Sequence, residues 1–206
     1  MSLKFFFGPK TCALASRIAL EEAGVAYEAV RLDMAGGQQR TPDYLAINPK
    51  GRVPALVTAH GVLTETPAIL AYIAQAYPAA KLAPIDDPFA FAQVQAFNSY
   101  LCSTVHINHA HKMRGYRWAD EETSYADMKR KVPQSMAESF TLIERDMIAG
   151  PWVFGEDYTI ADPYLYTMSR WLEGDGVDIG RFPKVADHFK RMGERPAVQR
   201  AVAGDA

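Results

Sequence analysis

Strand signals in this chain stop near residue 64, and beyond a proline-rich stretch at 77–88 nearly everything has helical periodicity. This asymmetry constrains the fold most. A chain whose strands and helices alternate only at its start must build its sheet there and add helices afterwards. Residues 3–7 form an aromatic run suited to a buried strand, broken by Gly8-Pro9. Residues 11–23 then read as a helix, with Leu14 and Ile18 sharing a face and Gly24 as a stop signal. Residues 27–32 alternate as a strand, 35–39 lack periodicity, and Thr41-Pro42 opens a short helical turn. A strand at 53–58 and another at 62–64 make a hairpin across His60-Gly61, and Thr66-Pro67 caps and opens a helix running to about Ala76. The helical crossovers imply a parallel strand pair, and the hairpin adds an antiparallel edge.

Helices are expected at 89–113, 124–149, 161–173, 183–193 and about 197–203, with Pro133 kinking or dividing the second. The expected division is an α/β domain at 1–77, a linker at 78–88 and an all-α domain at 89–206. Lys+Arg number 22 against 24 Asp+Glu, a formal net charge of −2, which gives no electrostatic reason to expect nucleic acid or an anionic membrane as partner. Cys12 and Cys102 are the two cysteines, too few for a disulfide framework, so a cytoplasmic location is expected. No apolar run approaches a membrane span, and the first residues read as a strand rather than a secretion signal.

Three places carry candidate chemistry. Cys12 lies in the first turn after a strand, where free N–H groups and the helix dipole favour a thiolate; a small core residue is the plain alternative. Pro9 and Ala15 stand three residues to either side, so any redox chemistry would use a single thiol. Pro54, inside Arg52-Val53-Pro54-Ala55-Leu56, removes a ladder donor. A cis Val53–Pro54 bond would free the Val53 backbone for an extended ligand, whereas a trans bond would merely start a strand. Glu65 and Thr66, at a helix N-terminus, suit an ammonium and a carboxylate, although Thr66 alone is an ordinary cap.

Taken in order, Cys12, the run from Asn48 to Leu56 and the run from Leu63 to Ile69 resemble the glutathione-binding domain of glutathione S-transferases. The second half agrees. Thr159-Ile160-Ala161-Asp162 has capping-box spacing, Tyr164-Leu165 follow it, and Arg195-Pro196-Ala197-Val198 come late. The resemblance implies a thioredoxin-like mixed four-stranded sheet with helices, an all-helical second domain, a homodimer and conjugation of reduced glutathione to electrophilic small molecules. Cys12 makes the chain similar to the bacterial beta class, which implies Cys12 and His106 as catalytic residues. It also implies Val53, Pro54, Glu65 and Thr66 as glutathione contacts. Glutathione is the cosubstrate, and no metal is expected: His106 and His109 share a helix face without a completing ligand. The chain departs from the class pattern at Lys10-Thr11, Ile107, Ser99 and in the loop 34–39, which lacks a lysine. Two alternatives stay open at this level. One is a thioltransferase or disulfide reductase acting through Cys12, and the other is a non-catalytic interaction protein of the same fold.

Overall fold

The computed structural model describes residues 3–205. Four strands form one mixed sheet in the order β2-β1-β3-β4, from β1 (Leu3–Phe7), β2 (Tyr27–Arg31), β3 (Ala55–Thr58) and β4 (Gly61–Thr64). β1 and β2 run parallel, as the intervening helix α1 (Ala13–Glu22) requires, while β3 is antiparallel to both β1 and β4. A short α2 (Pro42–Leu45) precedes β3, and α3 (Thr66–Ala76) follows β4. The helical part comprises α4 (Pro88–Tyr100), α5 (His106–Ala110), α6 (Glu122–Leu142), α7 (Ala161–Ser169), α8 (Pro183–Gly193) and α9 (Pro196–Ala203). Among the described residues no helix is long and apolar enough to cross a membrane.

Three local expectations differ from the structure. The helix expected at 89–113 is interrupted by a π-helical turn at Leu101–Val105, so His106 starts a new helical segment. Within that turn the Ser103 hydroxyl donates to the Ser99 carbonyl at 2.8 Å, engaging a carbonyl of the preceding turn. Pro133 lies inside α6 without dividing it. Both Pro133 and Lys129 face solvent, where water can satisfy the carbonyl that proline leaves without a donor. Thr66 is the first helical residue of α3 rather than its cap; the capping position belongs to Glu65, held at φ 71°.

One continuous core joins the sheet to the helices: Phe5, Leu56, Ile69, Tyr164 and Phe140 are all fully buried within it. α1 is the shared element, packed between α3 on one side and α7 and α9 on the other. Arg195 closes that seam by a bidentate pair with Glu22 at 2.6 and 2.9 Å while lying over the Tyr158 ring. The capping box is built as its spacing implies. Asp162, wholly buried, accepts from the Thr159 amide at 2.6 Å, the Val153 amide at 2.8 Å and His188 Nε2 at 3.0 Å. The Thr159 hydroxyl in turn accepts from the Ala161 amide. This cluster fixes the start of α7, which carries Tyr164 to the floor of the cleft described next.

Candidate active site

A cleft of about 520 Å³ lies between the sheet domain and the helical part, and all six residues singled out from sequence line it: Cys12, Val53, Pro54, Glu65, Thr66 and His106. Local backbone chemistry builds the sheet-side wall. The Val53–Pro54 peptide is cis, and the β3–β4 ladder begins only at Ala55, so Val53 stands outside it. Asn48 Nδ2 and Tyr44 Oη both donate to the Arg52 carbonyl at 2.6 Å, pinning the turn that presents Val53. Gly51 completes this turn at φ 59°, a conformation where side chains are strained, and a Cβ there would come within 3.1 Å of the Gln39 carbonyl.

Cys12 occupies the N-cap of α1, but its thiol does not use the helix amides. The Ala13 amide donates to the Thr11 hydroxyl at 3.3 Å, and the Leu14 amide to the Thr11 carbonyl at 3.3 Å. The Cys12 Sγ instead donates toward the Val53 carbonyl at 3.7 Å. Burial pushes its pKa up to about 11, although hydrogen bonding by Thr66 and the charge of Arg114 pull the other way. The expected thiolate is therefore corrected: near neutral pH Cys12 holds its proton, because desolvation outweighs a helix terminus whose donors are already engaged.

Glu65 has positive φ without being glycine, the geometry that turns β4 into α3 and leaves its carboxylate beside the helix N-terminus. Lys50 bridges the end of this wall, at 2.5 Å from Glu65 and 2.7 Å from the Thr64 hydroxyl. Lys50 lies within the run from Asn48 to Leu56, where the sequence alone assigns it no role. About half of each side chain is exposed, 43% and 53%, so this pair is a weak one that an incoming ammonium can compete with.

The opposite wall rests on distant contacts. His106 and His109, one turn apart, both lie against Trp171, at ring-centroid distances of 5.1 and 4.1 Å. His109 Nδ1 is 2.7 Å from the buried Asp175 carboxylate, and Lys112 approaches the same group at 3.4 Å. Stacking and ion pairing thus lock α5 to the turn after α7 and hold His106 in the lining of the cleft that Cys12 also lines. Burial first, and the charge of Arg114 second, lower the His106 pKa to about 4, so its imidazole is neutral near pH 7. Sequence alone did not separate His106 from its neighbours. In the structure His106 and His109 both line the cleft, His109 with its Nδ1 tied to Asp175, whereas His111 is not in the lining and packs edge-on against Trp118. The lining also includes Arg114, Tyr164 and Trp171, which sequence reasoning did not single out. Among the described residues no group of three potential metal ligands gathers anywhere.

A neutral thiol, a neutral imidazole, a backbone edge and a helix N-terminus line this one cleft. Such a set can hold a peptide-like ligand and donate hydrogen bonds to a sulfur anion. Residues 1–75 match the family model described as glutathione S-transferase, N-terminal domain. Glutathione S-transferase GstA of Escherichia coli O157:H7 is 30% identical over 206 residues, covering 98% of both chains. A glutathione transferase homologue from Sulfitobacter, crystallised with bound glutathione, is 46% identical and superposes with a TM-score of 0.95 over 98% of both chains. A bacterial beta-class glutathione S-transferase from Sphingomonas chungbukensis is 30% identical with a TM-score of 0.86, again over 98% of both chains.

Proposed function

The chain belongs to the glutathione S-transferase family, and from that premise we propose that it joins the thiol of reduced glutathione to an electrophilic carbon of a small molecule. The observation that carries this reading is the convergence of Cys12, Val53, Thr66 and His106 on one cleft. Glutathione lies extended along the cis-proline edge, its cysteinyl backbone paired with Val53 beside Pro54, as a strand pairs with a peptide. Its γ-glutamyl end sits at the start of α3. There the Thr66 amide meets the carboxylate, and Glu65 takes the ammonium in competition with Lys50. The glutathione sulfur lies between Cys12 and His106.

Both groups act as hydrogen-bond donors. Cys12 keeps its proton and donates S–H, and the neutral His106 donates its ring N–H. Each bond stabilises the sulfur anion more than the thiol, so the glutathione thiol gives its proton to solvent more readily. The thiolate then forms a carbon–sulfur bond. In a displacement the leaving group departs with the bonding pair; in an addition the neighbouring carbon takes a proton from water. No metal takes part in this scheme. We place the domain boundary in the linker 78–88, and assign the protein to the cytoplasm as a homodimer.

A thioltransferase reading would need Cys12 as nucleophile toward a glutathione mixed disulfide. The raised thiol pKa argues for the hydrogen-bonding role instead. Cys12→Ser separates the two, because serine keeps a donor but loses the nucleophilic sulfur. Conjugation in that variant is expected to fall by about tenfold or less, the worth of one altered hydrogen bond to a charged group. Conjugation reduced to the buffer rate, with exchange activity dominant in the wild type, would contradict the donor role.

A further inference from the structure

The cleft carries more positive charge than glutathione uses. Arg40, Arg52, Arg114 and Arg117 all line it, and none of the four has an ion-pair partner among the described residues. Glu65 is the one carboxylate in the lining, and Lys50 already sits against it. This happens in a chain whose formal net charge is −2, so the cationic lining is a local feature rather than a reflection of overall composition.

The four arginines divide between the two walls. Arg40 and Arg52 belong to the sheet domain, Arg52 next to Val53 and near enough for its charge to reach Arg114 and His106. Arg114 and Arg117 stand on the helical wall with Trp118 and Trp171. With the start of α3 and the Arg52 side of the cleft available to the two glutathione carboxylates, Arg114 and Arg117 remain on the helical wall for an anion of the second substrate. Arg114 is partly buried and Arg117 is exposed, so an anion held between them gains from a half-buried partner while its pairing stays open to screening by salt. A guanidinium offers a planar, two-pronged donor set that matches a carboxylate, and the exposed Trp118 indole offers apolar surface for a ring.

Resting on the proposed conjugation, we infer that the electrophile carries an anionic substituent such as a carboxylate on a planar ring, held by Arg114 and Arg117 against Trp118. For a chloronitrobenzoate the glutathione sulfur bonds to the ring carbon, and chloride leaves with the bonding pair. The thiol proton has already passed to solvent.

The test uses preformed conjugates, so that it does not depend on turnover. S-(4-carboxy-2-nitrophenyl)glutathione and S-(2,4-dinitrophenyl)glutathione differ in one carboxylate against one nitro group, and reduced glutathione serves as the reference ligand. Calorimetric titration of the full-length wild type should show the carboxylate conjugate binding about tenfold tighter or more. That preference should fall to near unity in Arg114→Ala/Arg117→Ala and survive in Arg114→Lys/Arg117→Lys. In the wild type it should also shrink severalfold as sodium chloride rises from 20 to 500 mM, a readout that needs no variant. Equal affinities for the two conjugates, with reduced glutathione still binding, would overturn this inference and leave the conjugation reading intact. Failure of the folded wild type to bind reduced glutathione at all would remove the conjugation reading first, and this inference with it.

Discussion

The two walls of the cleft are fixed by different kinds of interaction. On the sheet side each residue is set by its own neighbours. Val53 follows from the Asn48–Arg52 turn, Cys12 from the start of α1, and Glu65 from one left-handed residue between β4 and α3. On the helical side His106 is set by groups far along the chain, through Trp171 and the pairing of His109 with Asp175, 66 residues away. In the proposed reaction the first wall holds the backbone of the cosubstrate, and the second supplies His106 to its sulfur and faces whatever reacts with it. A wall built from short-range geometry can stay constant while a wall built from long-range side-chain contacts is free to vary its chemistry.

Removing the long-range tie should have the largest effect. Asp175→Ala strips a buried carboxylate from both His109 and Lys112, and is expected to lower unfolding free energy by about 3 kcal/mol. Urea denaturation checks this. An unchanged midpoint would show that Trp171 stacking alone holds α5, and the contrast between the walls would weaken.

A somewhat smaller effect should appear with pH. The His106 pKa is depressed to about 4 in the fold, against an ordinary histidine value near 6.5 in the unfolded chain. Between these values the unfolded state binds the extra proton, so stability is full above pH 6.5 and is lost as pH falls toward 4. Over that window the wild type should lose about 2 kcal/mol more than His106→Asn, measured as the difference between the two stability curves. Parallel curves would mean that His106 is no more desolvated than a surface histidine.

Much of the frame was legible because its signals are local. The parallel pair and the antiparallel hairpin followed from one crossover and one turn, though not the β1–β3 pairing that joins them; α8 matches its expected bounds, and Thr159 with Asp162 announces a capping box in four residues. The sheet-side residues were legible for the same reason. What escaped depends on tertiary proximity. Nothing in the sequence joins Lys50 to Glu65 or His109 to Asp175, and the burial that keeps Cys12 protonated comes from packing rather than from its place at a helix start. The π-helical turn before His106 was equally hidden, since the sequence around it continues a helical pattern. The cationic helical wall was foreshadowed only by the basic and aromatic residues between His106 and Trp118, whose arrangement around a common space needed the fold.

The central claim is that the short-range wall holds glutathione through the start of α3. It is tested most directly by calorimetric titration of reduced glutathione into the wild type and Glu65→Ala. Saturable binding in the micromolar to millimolar range is predicted for the wild type, weakened at least about tenfold in the variant by loss of one charged contact to the ammonium. Equal affinity in both proteins, or no saturation by the folded wild type, would contradict it.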